Sequence, residues 1–162
     1  MYPQLFEKSN LKNDVSDEII TVIESFNSQE YFSNLISKSQ SEQKKIVARY
    51  QNDLFVKLNS EFPKIKWELE HQPKLNTKDA IDIFGKSENF VITIELDKHR
   101  ADQVAKKFIS RSALLSEKNI FYISLCYPGT SNMPINETKK YFEYCSILSE
   151  KLENDYAGFI IV

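Results

Sequence analysis

Residues 119–127, NIFYISLCY, constrain this chain more than any other stretch, because they form a nearly continuous apolar run. A strand with one wet face alternates polar and apolar side chains. One that is apolar at successive positions is covered on both faces, as in the parallel part of a layered sheet. Such a strand needs helices above and below it. The neighbouring segments supply that pattern. ADQVAKKFISRSALL (101–115) places Val104, Phe108 and Leu115 on one helical stripe and Gln103, Lys107 and Arg111 on another. NETKKYFEYCSILSEKL (136–152) does the same with Phe142, Cys145, Leu148 and Leu152, and GFIIV follows as a terminal strand.

Upstream, the first third reads as helical. SDEIITVIESF puts Ile19, Ile20, Ile23 and Phe26 on one face behind Ser16 as N-cap. SEQKKIVARYQNDLFVKLNSEF predicts a long amphipathic helix carrying Ile46, Val47, Tyr50, Leu54, Val56 and Leu58, ended by Pro63. The period then changes from helical to alternating. IKWELEH sets Ile65, Trp67 and Leu69 against Lys66, Glu68 and Glu70, DAIDIFG gives a second strand, and residues 85–89 turn the chain into FVITIELD. Three strands at this spacing predict an antiparallel meander. The expected fold is α/β (α+β): a central mixed β-sheet flanked by helices, in one domain over 1–162, with a helical part at 1–62 and the sheet core at 63–162.

Composition excludes several functions. A net charge of −2 is not the global signature of a nucleic-acid binder, so any such case rests on local charge. No apolar run approaches membrane-spanning length, and the N-terminus lacks a signal-peptide pattern, so the expectation is a cytoplasmic protein with no membrane association. The sequon at Asn136 then carries no weight. Cys126 and Cys145 lie in apolar contexts without a Cys or His at metal-ligand spacing, and are expected to be reduced core residues.

The end of VITIELD stands apart. Strand alternation puts Val91, Thr93, Glu95 and Asp97 on one face and Ile92, Ile94 and Leu96 on the other. Antiparallel pairing with 79–84 brings Asp82 beside the two acids. Three clustered carboxylates repel one another, and a site that gathers them commonly serves Mg²⁺ or Mn²⁺, which take hard oxygen ligands. Spacing alone leaves open that these are simply solvated strand-end acids.

Asp82, twelve residues, then Glu95-Leu96-Asp97, within an α-β-β-β-α-β order, resembles the PD-(D/E)xK nuclease superfamily of restriction and repair enzymes. The family carries one acid on its second core strand and acid-any-Lys on its third. AIDIFG looks like the first element and VITIELD like the second, with Asp97 where Lys usually stands. In this the chain is similar to the BamHI/BglII-type branch that lacks the motif Lys. The resemblance covers residues 62–126 as motif, and its topology, a restriction-endonuclease-like αβββαβ core with N-terminal helices, continues to the end. It implies a divalent-metal-dependent DNA endonuclease, a restriction or defence enzyme. Asp82 and Glu95 would be its metal ligands, and Asp97 a further ligand or the proton acceptor from water. It also implies that the helix after the third strand aims a polar side chain at the site, Gln103 or Lys107. Glu61 or Asp53 would add a carboxylate, as in some members.

The missing Lys keeps a second reading open, an inactive nuclease-fold protein that binds nucleic acid or a protein partner. Lys98 follows the acids directly, but alternation turns it to the opposite face. Local charge suits a DNA partner: Lys98, Arg100, Lys106, Lys107, Arg111 and Lys118 face only Asp102 and Glu117 between 98 and 118. His99, beside the acids, is a candidate phosphate contact, as are Lys98, Arg100, Gln103, Lys107 and Arg111. An alternative for the helix bases is a plain solvated face. His71 receives no role. No groove-reading motif is present, and cutting both strands of a palindrome predicts a homodimer.

Overall fold

The computed structural model describes residues 1–73, 79–98, 101–117, 119–129 and 135–162. NIFYISLCY becomes β5 (Ile120–Tyr127), buried at all eight positions. It lies between two parallel neighbours, β4 (Val91–Lys98) and β6 (Asp155–Ile161). Beyond β4 the meander appears as expected, with β3 (Ile81–Lys86) antiparallel to β4 and β2 (Lys66–His71) antiparallel to β3. Among the described residues the strands form one six-stranded mixed sheet in the order β1-β6-β5-β4-β3-β2.

Helices cover both faces. On one side lie α1 (Asp14–Glu24), the short α2 (Gln29–Phe32) and α3 (Gln40–Glu61). Their Ile19, Ile23, Phe32, Tyr50, Leu54 and Leu58 pack on Ile92, Ile94, Phe121, Ile123 and Phe159. On the other side, α4 (Ala101–Leu114) and α5 (Ile135–Lys151) contribute Val104, Phe108, Phe142 and Cys145 against Val91, Tyr122, Cys126 and Tyr156. α3 begins with a capping box between Ser39 and Glu42 and stops just before Pro63. α5 sits close on β6 because position 158 is Gly: a Cβ there would lie 2.5 Å from the Phe142 ring. Both cysteines are free and buried.

Four sequence expectations need correction. The N-terminal part is not wholly helical, since Pro3–Lys8 forms β1, antiparallel to β6. Its register shifts between Leu5 and Glu7, which spoils the alternation that marks a strand. Ser16 is not an N-cap: α1 starts at Asp14, and the buried Ser16 hydroxyl donates to Asp155 Oδ2 at 3.2 Å. Val56 points to solvent, because α3 keeps its buried stripe on the i, i+4, i+8 positions Tyr50, Leu54 and Leu58. Leu148 and Leu152 are likewise exposed, since α5 turns Phe142, Cys145 and Ser149 to the sheet.

Candidate active site

The β3–β4 register pairs Ile83 with Ile94, which sets Asp82 across from Glu95 at the carboxyl end of β4. Asp82 Oδ2 is fixed by accepting the Leu96 backbone N–H at 2.6 Å. Val91 and Thr93 precede the acids on the same face of β4 and are covered by the second helix layer. The acids therefore lie at the edge of a closed apolar layer. Glu95 is 0% exposed and Asp97 is 7% exposed.

Buried carboxylates require partners, and α4 provides them. Lys107 and Arg111 stand one turn apart on that helix, on its inner side. The Lys107 ammonium lies 3.0 Å from Glu95 Oε2, 3.1 Å from Asp97 Oδ1 and 3.5 Å from Asp82 Oδ2, and donates to the Leu96 carbonyl at 3.1 Å. Arg111 Nε donates to Glu95 Oε1 at 2.7 Å. Its terminal nitrogens donate to Asp79 Oδ1 at 2.9 Å and the Ala80 carbonyl at 3.0 Å. Three convergent carboxylates against two cations leave one net negative charge, before Asp79 at the rim is counted.

Burial pushes the Glu95 carboxyl up to about 7, aided by the Asp82 charge and opposed by Lys107 and Arg111. Burial likewise raises Asp97 to about 6 against the pull of Lys107. For Lys107, burial works to lower the pKa, but Glu95, Asp82 and Asp97 together outweigh it and keep the amine charged. Arg111 is raised for the same reason, with Glu95 and Asp79 overcoming burial.

The expected residues divide clearly. Asp82, Glu95 and Asp97 converge, and Lys107, rather than Gln103, is the side chain that the helix delivers to them. Gln103 donates instead to Asp102 Oδ2 at 3.3 Å. Arg111 is buried within the carboxylate cluster, not on a wet outer face. Lys98 is on the far side of the sheet, as alternation requires, and donates to Gln43 Oε1 of α3 at 3.0 Å. Asp53 accepts from the Tyr31 hydroxyl, and Glu61 pairs with Lys57, so neither joins the cluster. His71 stacks on Phe84 and pairs with Glu68. His99, Arg100 and Lys118 lie outside the described residues.

Asp79, Gln51 and Glu70 were not singled out from the sequence. Gln51 Nε2 donates at 2.7 Å both to the Asp82 carbonyl and to Glu70 Oε1. Glu70 sits opposite Asp82 with φ 50°, a left-handed conformation that is costly for a non-glycine residue. The one available signal was Gln51 itself, an amide next to Tyr50 on the buried side of α3.

A divalent cation can be tested against this donor set. As the side chains stand, no group of three or more His, Cys, Asp or Glu among the described residues is arranged to hold a metal ion. The position that the three carboxylates share is taken by the Lys107 ammonium. Their chemistry nevertheless fits a hard cation. All three offer oxygen: Glu95 Oε2 is held only by the Lys107 ammonium, and the buried Asp97 Oδ2 has no hydrogen-bond partner. Lys107 has a flexible stem and a side chain 25% exposed, so it can withdraw toward solvent.

Among the described residues, no helix is long and apolar enough to cross a membrane. Comparison of the chain with protein-family models, with curated proteins and with solved structures gives no match.

Proposed function

We propose that the protein is a divalent-metal-dependent endonuclease that hydrolyses DNA phosphodiester bonds, with Lys107 of α4 supplying the positive charge that β4 lacks at Asp97. The observation that carries this reading is the approach of one ammonium to within 3.5 Å of Asp82, Glu95 and Asp97. The element order α3-β2-β3-β4-α4-β5 supports it, because it repeats the αβββαβ order that the motif resemblance implies.

Asp82, Glu95 and Asp97 would hold Mg²⁺ or Mn²⁺, which when bound lowers the pKa of water and neutralises the phosphate. The chain's own groups do the rest. Arg111 grips Glu95 Oε1, leaving Oε2 turned toward the shared position. Lys107, moved aside by the cation, would keep a positive charge at the site for the negative charge that develops on the phosphate. Asp97 Oδ2, buried and free of hydrogen bonds, is the carboxylate oxygen left to take a proton from the attacking water. Cutting both strands of a duplex would call on a second copy of the chain.

Supercoiled plasmid incubated with the pure protein tests the proposal. Nicked or linear product is expected in Mg²⁺ or Mn²⁺ and none in chelator; intact plasmid with both metals would refute it. The firm hold of Arg111 on Glu95 favours one second reading, a nuclease-fold protein that binds nucleic acid without cutting. DNA retention without cleavage in either metal would select that reading.

A further inference from the structure

α4 spends its two best-placed bases, Lys107 and Arg111, on the carboxylates, so a nucleic-acid strand needs other cations near the site. Such cations lie on the opposite face of the sheet. There, at the carboxyl ends of β4 and β5, an open groove of about 170 Å³ runs between the sheet and α3, lined by Gln43, Lys44, Val47, Ala48, Gln51, Lys98 and Tyr127. Crevices outside the carboxyl ends of strands are where open α/β sheets commonly bind ligands.

The lining has two ammonium groups, two amides and no carboxylate. Lys44 is exposed and makes no ion pair among the described residues. Lys98 gives one hydrogen bond to Gln43, which leaves two of its three donors for an incoming group. In a chain of net charge −2, such a groove is a local positive feature. The groove is open to solvent and has room for a phosphate group. The groove is also tied to the catalytic residues: Gln51, in its lining, donates to the carbonyl of Asp82.

We infer that this groove seats a backbone phosphate of the DNA strand next to the one being cut, held by Lys44 and Lys98, so that the strand crosses the carboxyl end of β4 from the α3 side to the α4 side. The inference rests on the endonuclease reading and extends it to the path of the substrate.

The test is fluorescence anisotropy of a short fluorescein-labelled duplex, titrated in chelator so that neither metal nor cleavage contributes. Wild type is compared with Lys44→Ala/Lys98→Ala and with Lys66→Ala/Lys86→Ala, an equal charge change at the other end of β4, where Lys66 pairs with Lys86. Each phosphate contact contributes about 0.9 to the slope of log K against log salt. The groove variant, which gives up that one phosphate, should therefore lose about 0.9 from its slope and roughly tenfold in affinity, while the control matches wild type. Equal slopes for wild type and the groove variant would overturn the groove and leave the endonuclease reading standing. Equal losses in both variants would also overturn it, by showing a diffuse charge effect. A wild-type protein that does not bind the duplex at all would remove both. Thermal melts of the three proteins confirm that each is folded.

Discussion

Replacing Asp97 by Asn should stabilise the protein at pH 8, and the size of the effect follows from where the side chain sits. Asp97 is 7% exposed, and burial holds its carboxyl near 6, against about 3.9 for an unfolded chain. A carboxyl whose folded pKa is raised binds its proton more tightly when native. Its contribution to stability is full below about pH 4 and is lost as pH rises through about 6. The gap amounts to about 3 kcal/mol at pH 8. Asp97→Asn removes that loss, and its amide can still accept from Lys107. Because the introduced amide must also satisfy its own N–H groups in a buried place, about 1–3 kcal/mol is the expected gain. Urea denaturation followed by Trp67 fluorescence at pH 4, 6 and 8 measures it, since Trp67 is the single tryptophan and is buried. The difference between variant and wild type should be smallest at pH 4 and grow in favour of the variant to pH 8. A variant less stable than wild type at pH 8, or a difference independent of pH, would refute the reasoning and make ionised Asp97 a net stabilising partner of Lys107.

Two further substitutions probe the packing around the site. Arg111→Met keeps the bulk but leaves Glu95 Oε1, Asp79 and the Ala80 carbonyl without their donor. It should cost about 3–5 kcal/mol in the same titration at pH 8, and less at pH 5, where Glu95 holds a proton in both proteins. Gly158→Ala forces a Cβ to 2.5 Å from the Phe142 ring and should cost about 1–3 kcal/mol. Adding Phe142→Leu should recover part of that loss, and no recovery would mean that the strain lies elsewhere.

Much of this architecture was legible because the informative segments carry their signal locally. NIFYISLCY announces a doubly covered strand by itself, and the alternation of VITIELD assigns Glu95 and Asp97 to one face and Lys98 to the other. Asp82 joins them through a hairpin whose turn lies only a few residues away. What stayed hidden depends on distant partners. β1 exists because β6, about 150 residues later, offers it an edge, and its bulge masks the pattern. Arg111 looks like a base on a wet helix face until Glu95 and Asp79, on other elements, are placed beneath it. Lys107 was legible as a candidate, but its single role among three carboxylates was not, since that depends on how α4 lies across β4. Leu148 and Leu152 misled for the converse reason: a helical stripe is readable, but its rotation relative to the sheet is set by Gly158 and Phe142.

The central claim is that Lys107 takes part in chemistry at a site built from Asp82, Glu95 and Asp97. Single-turnover cleavage of labelled DNA in Mn²⁺ by wild type and by Lys107→Met, alongside their DNA affinities in chelator, tests it most directly. The account predicts that Lys107→Met lowers the cleavage rate by about 100-fold or more while DNA affinity stays within about tenfold. Cleavage at the wild-type rate by Lys107→Met would contradict it and leave Lys107 as no more than the counter-ion of a buried acidic cluster.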